Sequence, residues 1–191
     1  MGKQQPREYY DRIFESSVAY SADAENTPWT PIWKLVTEQI LSSGASSIYD
    51  FGCGCGHLCQ LVYRRGYSGS YVGVDFSSVA IMKSIQRNFS NRKATFLTED
   101  ISELNLDEVI KDPTTSVVVA TEYLEHVEHD LDFIDRLPKG VRAVFSVPSF
   151  DDPGHERFFP TKDQVKDRYG RLLNDFNIEV YNRHYIFSGI T

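Results

Sequence analysis

No stretch of the 191 residues approaches the roughly twenty consecutive apolar positions a membrane-spanning helix needs, and no apolar run follows basic residues at the N-terminus. A bilayer span and a secretory leader are therefore not expected, and a cytoplasmic protein is. Cysteine is scarce too: Cys53, Cys55 and Cys59 crowd into one glycine-rich segment without distant partners for a disulfide framework. Their C-x-C-x-x-x-C spacing also lacks the fourth ligand of a structural zinc site, so reduced thiols are expected. Positive charge is in the minority, with 20 Lys and Arg against 27 Asp and Glu and a formal net charge of -7. A nucleic-acid partner, usually met by clustered cations, is accordingly disfavoured. Internal repeats and low-complexity tracts are absent, which excludes solenoids and disordered tails.

What is present is the material of a globular core: 41% of residues are hydrophobic and 25% charged. The length suits one domain over residues 1–191, with an N-terminal arm or lid over residues 1–30 and an α/β core over residues 45–191. In the arm, residues 8–14 read as a short helix. Thr30-Pro31 reads as a helix start, the hydroxyl as N-cap and the ring at the first helical position, and Ser43-Gly44 as its end. Short β-branched runs then alternate with helical segments. Strands are expected over residues 47–51, 70–74, 94–97, 116–120 and 142–147, and helices over 57–65, 78–89 and 130–137. Thr161 and Gln164 form a capping box ahead of a helix running to Gly170, and residues 178–181 and 185–187 flank Asn182-Arg183 as an antiparallel hairpin.

Asp50-Phe-Gly-Cys-Gly-Cys-Gly56 stands where the first strand turns into its helix. Gly52, Gly54 and Gly56 permit backbone angles closed to other residues and let a ligand lie against the main chain. Alone this is a weak signal, because glycines after a strand are often mere turn formers. It sharpens because Asp75 ends the next strand nineteen residues after Gly56, where a carboxylate can accept from both hydroxyls of an adenosine ribose. The spacing is G-x-G-x-G, with His57 where the third glycine of a dinucleotide fingerprint would stand. A diphosphate tolerates no adjacent carboxylate, whereas Asp50 suits a ligand carrying an ammonium and a sulfonium. S-adenosylmethionine is favoured over NAD on that ground.

The ordered segments Y-D-F-G-C-G-C-G, Y-V-G-V-D-F-S, L-T-E-D-I and A-T-E-Y-L-E-H-V resemble the motifs of class I S-adenosylmethionine-dependent methyltransferases over residues 48–159. The nearest resemblance is to ubiquinone-pathway and natural-product small-molecule O-methyltransferases. It implies a Rossmann-like, mostly parallel seven-stranded sheet with the last strand antiparallel. It further implies that Asp50, Gly52, Cys53, Gly54 and Gly56 line the amino-acid end of the cofactor and Asp75 takes the ribose. Phe76, Asp100 and Ile101 would flank the adenine, and Thr121, Glu122 and Tyr123 would lie beneath the sulfonium. S-adenosylhomocysteine is the product this chemistry leaves.

Glu122, Glu125, His126 and His129 follow the central strand, and a helix there would put all four on one face. Two roles compete with plain packing. In one, His126 and His155 act as base or orient an acceptor hydroxyl. In the other, E-x-x-E-H resembles the metal-binding motif of small-RNA 3′-terminal methyltransferases, His155 being a further ligand. No metal is assigned. The aromatics Tyr9, Tyr10 and Tyr20 are candidates for a lid over the site, and Trp33 for packing. The expected activity is methylation, preferably on oxygen, of a small molecule such as a sugar, polyketide or phenolic compound. A metal-dependent RNA-end methyltransferase and a non-catalytic binding module are the alternatives.

Overall fold

The computed structural model describes residues 2–191. Two helices, α1 (Arg7–Ser16) and α2 (Val18–Ser21), precede α3 (Thr30–Ser43). Strands and helices then alternate as β1 (Ser47–Phe51), α4 (His57–Arg64), β2 (Ser70–Asp75), α5 (Ser78–Arg87), β3 (Ala94–Thr98), α6 (Leu106–Val109), β4 (Ser116–Thr121), α7 (Asp130–Asp135), β5 (Arg142–Pro148) and α8 (Lys162–Tyr169). The chain closes with β6 (Asn174–Tyr181) and β7 (His184–Ile190).

The seven strands lie in the order β3-β2-β1-β4-β5-β7-β6, with β7 antiparallel to both neighbours and β1 to β5 parallel. Strand order reverses direction between β1 and β4, and crevices at such switch points are where open α/β sheets bind ligands. β4 is buried along its whole length, and alternation divides it cleanly. Val117 and Val119 face a core layer with Ile32, Val36 and Ile40 of α3 and Leu61 of α4, while Val118 and Ala120 face Phe133, Phe145 and Phe187. Each fully buried aliphatic or aromatic side chain contributes about 1.5–3 kcal/mol. The sheet's central strand is thereby pinned from both faces, and its C-terminal tip is a rigid support.

Local chemistry sets most boundaries. Gly44, at φ +70°, ends α3 in the left-handed conformation expected of a C-cap. Thr161 and Gln164 form the full capping box of α8. Thr30 departs from expectation: it is the first residue of α3, and its hydroxyl turns back to donate to the Ala24 carbonyl at 2.7 Å instead of capping. Asn182-Arg183 is the two-residue turn between β6 and β7, with Asn182 at φ +51°. β6 begins at Asn174, well before residue 178, because an exposed edge strand needs no apolar alternation.

A larger departure concerns residues 122–129, which are successive turns and not a helix. Glu122 sits at φ +52°, and its N–H donates to Ser146 Oγ at 3.0 Å, so no helical ladder starts there. Arg157 secures the turns by donating to the carbonyls of Leu124 (2.6 Å), Val127 (2.5 Å) and Glu128 (3.1 Å). His129 ends up exposed, immediately before α7.

Candidate active site

The tips of β1, β2 and β4 open onto one cavity. At the β1 tip, Gly52 and Cys53 donate to the Val74 carbonyl at 2.8 and 3.1 Å, and Gly54 donates to Asp75 Oδ2 at 2.9 Å. The loop is thus stitched to the end of β2. Gly52 has φ +73°, and a Cβ there would stand 2.6 Å from Cδ2 of Tyr123, so only glycine leaves this stretch of backbone open to a ligand. Gly54 also lines the cavity. Gly56 does not: it packs beneath α5, where a Cβ would meet Asn88 Nδ2 at 2.7 Å.

Asp50 and Asp75 are both buried and both border the cavity. Asp75 accepts from the N–H groups of Gly54 and Ser77, each at 2.9 Å. Burial still outweighs those bonds and pushes its carboxyl up to about 6. Asp50 accepts from the Tyr71 hydroxyl through Oδ2 while Oδ1 has no partner. Its carboxyl is pushed up to about 7, by burial first and with the Tyr71 bond opposing. A buried carboxylate oxygen without a donor, on a residue that borders a cavity, matches a ligand that brings an N–H group.

Along the adjoining walls, Phe76, Ile101 and Asp100 line the cavity, Asp100 being exposed and capping the following turn through Ser102 N at 3.0 Å. Thr121, Glu122 and Tyr123 line it at the tip of β4. Thr121 Oγ1 accepts from Trp33 Nε1 at 3.3 Å, and Trp33 stacks on His57 with centroids 5.0 Å apart. Trp33 therefore serves the cavity as well as the core. The N-terminal helices supply Tyr10, Phe14 and Tyr20, and Tyr20 stacks on Trp29 at 4.8 Å. Tyr9 is not among the lining residues; it packs edge-on against Tyr10. Arg87 anchors this segment by donating to the carbonyls of Tyr20 (2.9 Å), Ala22 (2.7 Å) and Cys55 (2.9 Å).

His126 and His155 differ in position. His126 lines the cavity, and its Nδ1–H donates to the Gly154 carbonyl at 2.8 Å, leaving Nε2 with a free lone pair. Burial lowers its pKa, so the ring is neutral near pH 7. His155 lies behind it, edge-on at 4.9 Å, with Nδ1–H donating to the Phe150 carbonyl at 3.2 Å. Neither oxygen of the fully buried Glu125 has a hydrogen-bond partner, and burial followed by the charge of Glu122 raises its pKa well above the carboxylate range. Donor atoms of Glu125, His126 and His155 all lie within 4.8 Å of one another. The three thiols are buried and free, and burial raises the pKa of each, that of Cys55 up to about 11, which removes them as nucleophiles.

The methyltransferase domain family matches residues 24–187. This chain belongs to it. The expected class I, S-adenosylmethionine-dependent enzyme and Rossmann-like sheet are thereby borne out. The methyltransferase shares its fold with the magnesium protoporphyrin IX methyltransferase ChlM of Synechocystis PCC 6803, solved with bound SAH: TM-score 0.67 at 13% identity over 97% of this chain and 99% of that one. The DhpI–SAH complex gives 0.67 at 14% identity over 95% and 93%. The [4+2]-cyclase SpnF gives 0.69 at 15% identity over 95% and 78%. Such identities report fold alone, and the cyclase illustrates that this fold hosts more than one reaction. No curated protein matches the methyltransferase by sequence.

Trp29 and Trp33 belong to the N-terminal aromatics expected near the site, Trp33 with packing preferred, whereas sequence reasoning did not anticipate His57, Phe14, Gln4 or Gln5 in the cavity wall. No local pattern marks them. The one available signal was His57 itself, the residue that interrupts the glycine spacing; burial holds its ring neutral, with its pKa down at about 4.

Proposed function

We propose that this methyltransferase transfers a methyl group to an oxygen of a small-molecule acceptor, with the donor held between the tips of β1 and β2. The observation that carries the donor site is the partnerless Asp50 Oδ1 beside the open main chain at Gly52. The fit is good: Asp50 would take the donor's ammonium and the backbone at Gly52, Cys53 and Gly54 its amino-acid end. Asp75 retains lone pairs for the ribose hydroxyls. Phe76, Asp100 and Ile101 would enclose the adenine, and Thr121, the main chain at Glu122 and Tyr123 would border the sulfonium. The Tyr20 and Trp29 rings offer π faces to a cation. When bound, the donor supplies an electrophilic methyl group on a sulfonium.

The residues' remaining work is orientation and proton removal. Alignment of two bound reactants is worth about 7–11 kcal/mol in favourable cases. His126, neutral and with Nε2 free, accepts the proton of the acceptor hydroxyl, a contribution of about 10²–10⁴-fold. The aromatic arm excludes water from the reacting pair. Calorimetry with S-adenosylhomocysteine tests the donor site. Asp75→Ala should weaken binding about ten- to a hundred-fold, the value of hydrogen bonds to a charged group, and unchanged affinity removes Asp75 from the site.

A second reading has its own observation: the Glu125, His126 and His155 donor set. Both imidazoles donate Nδ1–H to backbone carbonyls, which frees Nε2 as a ligand atom. A divalent cation there would support the metal-dependent RNA-end alternative. Metal analysis and activity with and without chelator separate the two, since activity unaffected by chelation rejects the metal version.

A further inference from the structure

The cavity rim where β4 and β5 end carries an acidic side chain for which the donor reading has no task. The Glu122 backbone borders the proposed sulfonium position, but its carboxylate is built into a separate arrangement. Ser146, fully buried on β5, accepts from the Glu122 N–H at 3.0 Å and donates its own hydroxyl proton to Oε1 at 2.7 Å. His184 Nε2 stands 3.2 Å from Oε2, within ion-pair reach but without hydrogen-bond geometry. Both partners are delivered by strand register, since Thr121 pairs with Ser146 and Pro148 with His184. His184 is braced edge-on by Phe150 at 5.4 Å, and Arg183 lies 4.3 Å over the other partner of that contact, the Phe150 ring.

The same residue adopts φ +52°, a left-handed conformation that a glutamate takes only when its surroundings impose it. Strain, a buried hydroxyl and a braced histidine thus all serve to hold one carboxylate in one orientation against the cavity. The Ser146 bond uses one lone pair of Oε1 and leaves the others of the carboxylate for a ligand. Charge on the walls narrows what that ligand is. Asp50, Asp75, Asp100 and Glu122 line the cavity, and among the described residues no lysine or arginine does. A phosphorylated or carboxylated acceptor would meet only like charge there, while a protonated amine would meet its complement.

We propose that Glu122 seats a protonated amine of the methyl acceptor, with Ser146 and His184 as positioning residues, so that the acceptor is a small hydroxylated amine methylated on oxygen. The amine is an anchor and keeps its protons. The proposal rests on the donor reading above.

Two measurements test it together. Calorimetry with S-adenosylhomocysteine should give wild type and Glu122→Gln affinities within twofold, while Asp75→Ala falls at least tenfold. If Asp75→Ala binds normally, the donor reading is what fails; if Glu122→Gln falls tenfold, Glu122 belongs to the donor and the proposal is overturned. Radiolabelled methyl transfer is then measured with matched trios: dopamine, 4-methylcatechol and 3,4-dihydroxyphenylacetate; glucosamine, glucose and glucuronate. In at least one trio kcat/KM should favour the amine at least tenfold over the neutral compound, with the acid slowest. Glu122→Gln should bring the amine to within threefold of the neutral probe. Ser146→Ala and His184→Asn should raise KM for the amine severalfold while kcat stays within twofold, a split that general loosening of the fold would not produce. Transfer to neither amine, an equal or reversed charge preference, or a preference that survives Glu122→Gln overturns it.

Discussion

Asp50→Asn is expected to stabilise the ligand-free protein at pH 8 and not at pH 4.5. The folded protein pushes the Asp50 carboxyl from 3.8 up to about 7, chiefly through burial. A group whose folded pKa lies above its unfolded one subtracts stability as its proton leaves. The loss is absent below about pH 4, grows as pH rises to about 7, and is constant above. At about 1.4 kcal/mol per pKa, the ionised side chain costs about 4 kcal/mol. Asparagine removes the charge and keeps an acceptor for the Tyr71 hydroxyl, but its NH₂ group lacks a partner in the ligand-free cavity, at about 1–3 kcal/mol. The net gain is then about 1–3 kcal/mol, or roughly 2–10 °C in Tm for a chain of this size. Melting curves at pH 4.5, 6 and 8 read it directly. S-adenosylhomocysteine at about a hundred times its Kd should add about 2.7 kcal/mol to wild type and less to the variant. A difference that does not change with pH, or a variant less stable than wild type at pH 8, refutes the assignment of Asp50 as a buried carboxylate with one partnerless oxygen.

Gly52→Ala forces a Cβ to 2.6 Å from Tyr123 in a left-handed backbone; beyond about 1–2 kcal/mol of strain, it should cut S-adenosylhomocysteine affinity more than tenfold, and unaltered calorimetry would show that the cradle is not the donor's. Arg87→Gln removes the two carbonyl contacts that tie the N-terminal segment to α5, at Tyr20 and Ala22, along with the one to Cys55 in the loop after β1; limited proteolysis should then cut residues 2–22 first and faster than in wild type, and identical digestion would contradict the anchoring. His126→Asn should lower kcat by about 10²–10⁴-fold with unchanged affinity for S-adenosylhomocysteine. Because burial lowers the His126 pKa, wild-type kcat should fall only on the acid side, with its midpoint below the ordinary imidazole value; a midpoint above that value would assign the base elsewhere.

What the chain disclosed in advance divides along a physical line. β4, an uninterrupted apolar run, and the glycine loop followed by Asp75 are local signals with long-range meaning, because a strand buried on both faces and a carboxylate at a strand tip each have few structural uses. The turns over residues 122–129 were illegible for the opposite reason. Their conformation depends on Ser146 and Arg157, 24 and 33 positions removed from the groups they bind, and helical spacing among Glu122, Glu125, His126 and His129 was the only local pattern available. Losing that helix separates the four. Glu125 and His126 turn toward His155, His129 faces solvent, and Glu122 is handed to β5 and β7. The cavity's aromatic wall follows the same logic, since Trp33 meets Thr121 across 88 residues. Donor-side chemistry sits on strand tips whose spacing a sequence records, whereas acceptor-side chemistry is assembled from turns and an N-terminal arm that meet only after folding. Substrate choice can therefore change through Glu122, His184 or the arm while the β1–β2 cradle, and with it the donor, stays the same.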